Sequence, residues 1–331
     1  MVVVGAQVSL SRTFGENARV IAGVFFSCAM LAGCASIIPQ TAELRDRWPP
    51  DLALQAQIAN VPFFPQVEYQ CGPAALATAL AHAGAPVTPD ELVSQVYIPA
   101  RKGSVTTEML AAPRRYGMVS YLLSPSLEDV LREVSAGNPV VVFQNYGRWP
   151  FKQWHYAVVV GYNSRSGNLV LRSGEDRERL EHVALFEYTW KDGGRWAMVA
   201  LPPDRMPVTA ARERYLDAIV ALERVGKPQA AARAYERLLS RWPHDLGASI
   251  GLANAYHTLG ELARAESVLR RALERHPDST PVLNNLAQTL SDLGRSDEAL
   301  KVIERVPAGS PYGKAIAETR ALILQRLGTT Q

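Results

Sequence analysis

Gln66-Val67-Glu68-Tyr69-Gln70-Cys71-Gly72-Pro73-Ala74-Ala75-Leu76 decides how the first half of this chain is read. An extended apolar run, Val61 to Phe64, ends shortly before it, and a helix-forming run, Ala74 to Ala83, begins inside it. Cys71 therefore stands where a strand-like segment gives way to a helix. Its sulfur lies near free backbone N–H groups and the positive end of a helix dipole. Both favour the thiolate, which is the nucleophile. Gly72 lets the backbone turn closely, and Pro73 suits a first helical turn, where its missing N–H would be unpaired anyway. Gln66, five residues upstream, can place an amide donor beside the sulfur, where an oxyanion would form. A lone cysteine before an Ala-rich helix is equally an ordinary small buried hydrophobe, so the choice falls to the rest of the chain.

The chain has 331 residues and 47% hydrophobic content, which suits two ordinary domains. Its 35 basic and 32 acidic residues are closely mixed; no basic run or aromatic-basic stripe points to nucleic acid. Residues 1–33 are set aside from the fold. Arg12 and Arg19 precede the apolar run Val20 to Met30, which is too short to span a membrane, and Leu31-Ala32-Gly33-Cys34 follows. That ending resembles the bacterial lipoprotein box, which implies cleavage before Cys34 and lipid on its sulfur. Ala35 and Ser36 follow, with no Asp, which in this resemblance implies the outer membrane, facing the periplasm. Removing 1–33 changes the net charge only from +3 to +2. Of three cysteines, Cys28 leaves with the signal and Cys34 carries lipid. Cys71 is then an unpaired thiol in an oxidising compartment, a liability unless it is buried or used.

Residues 34–58, polar and broken by Trp48-Pro49-Pro50, read as a tether. Residues 59–204 read as one domain. Thr88-Pro89-Asp90-Glu91 is a capping box opening a helix to about Val96. Thr106 to Tyr116 is helical despite Pro113, and Ser126 caps a helix that Gly137 stops. Pro139 to Gln144, His155 to Tyr162, Leu169 to Arg172 and Arg195 to Leu201 are short apolar strands, with a hairpin at 163–168. Helices first, then an antiparallel sheet, make an α+β domain. Residues 205–211 are a linker. Beyond it, Gly226, Gly260 and Gly294 recur 34 apart, as do Ala231, Ala265 and Ala299, and Pro243, Pro277 and Pro311. Each unit is a helix, a glycine turn, a second helix and a proline stop. This resembles the tetratricopeptide repeat, with units 212–245, 246–279 and 280–313 and a capping helix over 314–328. It implies an all-α solenoid across 212–328 that holds a protein partner.

A cysteine nucleophile needs a base, normally histidine, distant in sequence and near in space. Six histidines are available. His244, His257 and His276 fall in the repeats. His82 is on the Cys71 helix but eleven residues along, about 16 Å away at helical rise. His182 lies in an acidic-basic loop. His155 opens the apolar strand His155-Tyr156-Ala157-Val158-Val159-Val160-Gly161-Tyr162, which holds it rigidly. No metal-ligand spacing and no phosphate-cradling loop appears, so no cofactor or metal is expected. Tyr146, Trp149, Phe151 and Trp154 cluster before His155 and read either as core packing or a stiff loop or as a wall of a substrate groove; Gly147 and Pro150 in the same run favour an exposed loop and so the groove.

Gln66, the Cys71-Gly72-Pro73-Ala74-Ala75-Leu76 run and the strand from His155 to Tyr162 together resemble the bacteriocin-processing, double-glycine-leader cysteine peptidases (family 39 of the cysteine peptidases) and their stand-alone relatives. The resemblance covers about residues 60–200 and implies a papain-like fold. By it, Cys71 is the nucleophile, His155 the base and Gln66 the oxyanion donor, and a peptide bond is cleaved through an acyl-enzyme. The family's usual Asp-Pro, which orients the imidazole, is missing. Ser173 stands at that place, and Asn163 is a second candidate. An uncharged partner stabilises an imidazolium less. One expectation is therefore a lipid-anchored periplasmic cysteine peptidase whose repeats recruit a protein substrate or partner. The other is a weak or inactive peptide-binding head in an envelope scaffold. A third resolves the acyl-enzyme with an amine, as transfer. The chain lacks spanning helices, so the resemblance alone does not make a leader peptide its substrate. If the Cys34 reading holds, Cys34→Ala leaves the protein uncleaved or released from the membrane fraction; unchanged membrane fractionation contradicts it.

Overall fold

The computed structural model of the chain describes residues 38–66, 70–148, 150–307 and 309–329; the signal segment 1–33 and Cys34 lie outside them. The described part of the expected tether, residues 38–58, is folded onto the domain, which corrects that expectation. Helix α1 (Pro39–Asp46) starts with proline in its first turn. The N–H groups of Gln40 and Thr41 donate to the buried Glu187 carboxylate at 3.1 and 2.6 Å. A distant acid thus supplies the cap that the local sequence lacks. Leu44 and Leu52 are buried, and Trp48 Nε1 donates to Leu52 O. The short strand β1 (Gln55–Gln57) then joins the domain's sheet. The stretch reads as polar because only a few scattered side chains anchor it, with no helical or strand period.

The domain continues with α2 (Cys71–His82), α3 (Pro89–Val96), β2 (Tyr97–Ile98), β3 (Gly103–Ser104), α4 (Thr106–Arg115), β4 (Val119–Leu122) and α5 (Leu127–Ser135). Then follow β5 (Val140–Asn145), β6 (Trp154–Asn163), β7 (Asn168–Ser173), β8 (Asp176–His182), α6 (Val183–Asp192) and β9 (Ala197–Leu201). The main sheet runs β4-β9-β5-β6-β7-β8, with β1 pairing the far end of β6, and each neighbouring pair is antiparallel. Both bonds of the Thr88–Glu91 capping box form, and Ser126 caps α5 through the Asp129 N–H. Strands β4 and β8 and helix α6 have no counterpart in the sequence reading. Strand β8, Asp176 to His182, is an edge strand carrying charge on both faces, which deters edge-to-edge pairing and erases the alternation that marks a strand.

Helix α2 is the centre of the domain. Residues 72–80 are all buried, as expected of a helix that is apolar all round, and it packs across β6. Leu76 and Leu80 alone, both fully buried, contribute about 2 kcal/mol each. At its tip a Cβ on Gly72 would stand 2.2 Å from Ser104 Oγ and 2.6 Å from Ser104 Cβ. Only glycine lets β3 approach this closely.

Residues beyond the linker form helix pairs: α7 (Arg212–Glu223) with α8 (Pro228–Arg241), α9 (Leu246–Thr258) with α10 (Leu262–Arg275), and α11 (Thr280–Asp292) with α12 (Ser296–Ile303), covered by α13 (Gly313–Thr329). The turn glycines Gly226, Gly260 and Gly294 have φ of +72°, +74° and +78°, left-handed values that explain their recurrence. Among the described residues no helix is long and apolar enough to cross a membrane.

The repeats are docked on the α+β domain. The Tyr121 hydroxyl of β4 donates to Thr209 O at 3.4 Å and accepts from the Ala211 N–H at 3.0 Å; its ring meets Tyr215 of α7 edge-on at 6.3 Å. Buried Glu133 of α5 accepts from the Thr209 N–H and hydroxyl at 2.8 and 2.6 Å. At its other end Arg205 donates to Asn138 Oδ1 at 2.7 Å, so the linker is fixed at both ends. Tyr121→Phe strands the Ala211 N–H and costs about 1 kcal/mol or more. We expect faster limited proteolysis between residues 202 and 211 in that variant; an unchanged cleavage rate contradicts this account of the junction.

Candidate active site

The tip of α2 carries no side-chain cap, which leaves its N–H groups for the Cys71 sulfur. The backbone N–H groups of Tyr156, Gly72 and Cys71 itself reach it, yet burial outweighs them and pushes the thiol above its ordinary value. The sequence expectation of a favoured thiolate is corrected here: desolvation penalises the anion more than helix-end donors stabilise it. The sulfur rests against the backbone of the residue that follows His155. No hydrogen bond joins Sγ to the imidazole among the described residues.

His155 sits near the start of β6, opposite Gln144 of β5. Its Nε2 and the Ser173 hydroxyl are 2.8 Å apart, and Ser173, on β7, is 1% exposed. Ser173 is therefore the side chain that meets the imidazole. Asn163 is not: it lies eight residues along β6, about 26 Å away. There its Oδ1 accepts from the N–H groups of Arg165 and Ser166, holding the hairpin turn. Gln66 is brought alongside Ser173 by its backbone, whose N–H donates to Gly174 O at 3.2 Å. No hydrogen bond links its side-chain amide to the sulfur among the described residues. Burial, and then the positive charge of Arg179, hold the imidazole down to about 4. At neutral pH the pair is thus thiol and neutral imidazole.

The remaining histidines serve structure. His82 Nε2 contacts Gly137 O at 3.2 Å. His182 caps α6, its Nδ1 accepting from the Ala184 N–H, so the stretch read as irregular is a strand end and helix cap. His257 pairs with Asp292 at 2.7 Å, and His276 reaches His244 O. The aromatic cluster divides. Phe151 is 84% and Trp154 43% exposed; Trp154 stacks on Phe143 at 5.1 Å, and Phe143 lies 4.6 Å from Tyr156. Tyr146 is instead drawn inward, its hydroxyl donating to Glu181 at 2.8 Å, so it does not belong to an open wall. Trp149 lies outside the described residues. Glu181, Gln144 and Arg179 escaped the sequence reading because nothing in a charged edge strand marks one carboxylate as buried. Among the described residues no group of three or more His, Cys, Asp or Glu side chains could hold a metal ion.

A cysteine at a helix tip thus touches the backbone of the residue that follows a strand histidine, and that histidine is tied to a third polar side chain. Residues 58–191 match the Peptidase_C39 like family, and residues 216–280 and 260–321 match tetratricopeptide repeats. The chain carries a C39-peptidase-like domain followed by tetratricopeptide repeats. No curated protein matches it. Among solved structures, it is similar to a C39-like peptidase from Bacillus anthracis, at 18% identity over 44% of this chain and 97% of that one, with a TM-score of 0.36. A double glycine motif protease from an AMS/PCAT transporter, in complex with the leader peptide, is 20% identical over 44% and 96%, with a TM-score of 0.34. A thermophilic TPR protein from Thermus thermophilus is 24% identical over 36% of this chain, with a TM-score of 0.34; the chain spans 66% of that protein, just under two thirds.

Alkylation by iodoacetamide reads the charge state directly, because only the thiolate reacts. Raised Cys71 and lowered His155 oppose a resting ion pair. The Cys71 rate should therefore rise steadily with pH and still be climbing at 9. A flat, fast rate from about pH 5 to 8 contradicts the neutral pair.

Proposed function

We propose that this protein is a cysteine peptidase whose nucleophile is Cys71 and whose base is His155. The sulfur's contact with the Tyr156 N–H, one residue from an imidazole tied through Nε2 to Ser173, is the observation that supports it. With Nε2 engaged, Nδ1 is the nitrogen that exchanges protons with the thiol. A peptide carbonyl approaches Sγ, the thiol proton passes to Nδ1 and the S–C bond forms. The resulting oxyanion is met by the Cys71 N–H and the Gln66 amide. Collapse breaks the C–N bond, and the imidazolium gives its proton to the leaving amine. Water, deprotonated by His155, then attacks the thioester; the acyl product leaves as a carboxylic acid and the thiol is restored.

Ser173 orients the ring without adding negative charge, so the imidazolium forms only transiently. The same feature favours the second reading, a head that grips a peptide and cuts it slowly or not at all. In both readings the protein is anchored through lipid on Cys34 at the outer membrane, facing the periplasm, and the repeats recruit a protein substrate or partner. Comparison of envelope-protein N-termini between wild-type and Cys71→Ala cells separates the readings. New N-termini lost in Cys71→Ala support the peptidase; identical sets in both strains overturn it.

A further inference from the structure

Around the imidazole lies a group of side chains that the reaction above does not use. Gln144 is fully buried opposite His155. Its Nε2 donates to Glu181 Oε1 at 2.7 Å and to Thr189 Oγ1 of α6 at 2.8 Å. Glu181, 3% exposed, also accepts from the Tyr146 hydroxyl at 2.8 Å and lies 3.5 Å from Arg179 Nε. The Tyr146 ring stands 5.6 Å from the imidazole, tilted at 51°. The Arg179 guanidinium lies 4.8 Å over that same phenol ring. A buried carboxylate is costly unless its lone pairs are filled; here β5, the loop after it and β8 all supply partners.

We propose that Glu181, Tyr146 and Arg179 form one positioning unit for His155. The carboxylate locks the phenol, the phenol fixes the plane of the imidazole, and the guanidinium puts a fixed positive charge beside the ring. In effect Ser173 shares in orienting the ring, and Arg179 adds to burial in keeping the base uncharged until it receives the thiol proton. This rests on the reading of His155 as the base. Other groups nearby do not reverse the sign. Ser173 and Thr189 are uncharged, the Cys71 thiol is kept protonated by burial, Asp192 of α6 is bonded to Asn145 Nδ2 at 3.0 Å, and Arg172 of β7 donates to Arg177 O. Burial and Arg179 together already hold His155 low.

Removing the cation while Glu181 stays must raise the proton affinity of the ring. The test is an NMR titration of the histidine rings in the full chain, with His155 assigned by its loss in His155→Asn. Arg179 is partly exposed, so Arg179→Gln and Arg179→Lys replace a side chain outside the core. Arg179→Gln should move the His155 midpoint upward from about 4 by roughly half a pH unit, about threefold in proton affinity, with burial still holding it below the ordinary value. Arg179→Lys, which keeps the charge, should stay near wild type. A midpoint unmoved in Arg179→Gln, or moved equally in both variants, overturns the proposal. The titration needs no turnover. If Cys71→Ala shows that nothing is cleaved, the peptidase reading falls while this result still stands or fails on its own.

Discussion

Only a hydrogen atom separates the α-carbon of Gly72 from the Ser104 side chain, and that contact fixes how close the tip of α2 comes to the β2–β3 hairpin. Toward the main sheet, the Cys71 sulfur reaches the N–H of Tyr156 on β6. A helix and a strand more than eighty positions apart in sequence are thereby held within one hydrogen bond. The Tyr156 hydroxyl, donating to Ser104 O at 3.4 Å, ties the same three elements from the other side. Burial of α2 on nearly every face leaves the tip no freedom to withdraw.

The electrostatics of the site follow from the same burial. Helix-end N–H groups favour a thiolate, but the desolvation that comes with close packing outweighs them. The imidazole is pushed the other way by the same cause. The pair rests uncharged, and in the proposed mechanism charge appears only as substrate binds and the proton moves. An uncharged orienting residue suits that arrangement, since a buried carboxylate at position 173 would favour an imidazolium before any substrate arrived.

Much of this was legible in the chain. The 34-residue columns of glycine, alanine and proline marked the repeats because each column answers a fixed steric demand. Cys71 and His155 stood out because a polar or reactive residue interrupted an apolar pattern. The helices with their own caps, at Thr88 and Ser126, were equally plain. What stayed hidden depends on partners far away. Helix α1 looks like a tether because its cap is Glu187, some 147 residues later. Strand β8 looks like a loop because its charges face both ways, and the burial of Glu181 is decided by Gln144 and Tyr146. The balance of burial against helix-end donors at Cys71 is a matter of packing density, which local sequence does not encode.

The repeats do not hang free of the head. Tyr121, Glu133 and Tyr215 bind the linker and the first repeat helix to it, so whatever the repeats hold is presented in a fixed direction relative to Cys71. The central claim remains that Cys71 and His155 share one proton path, and acylation tests it most directly. Incubated with p-nitrophenyl acetate, the wild-type chain should release one equivalent of nitrophenol in a burst and carry a single acetyl group on Cys71 by intact mass, which then turns over. In His155→Ala that adduct, once formed, should persist. No adduct on Cys71, or one that decays equally fast without His155, would contradict the account.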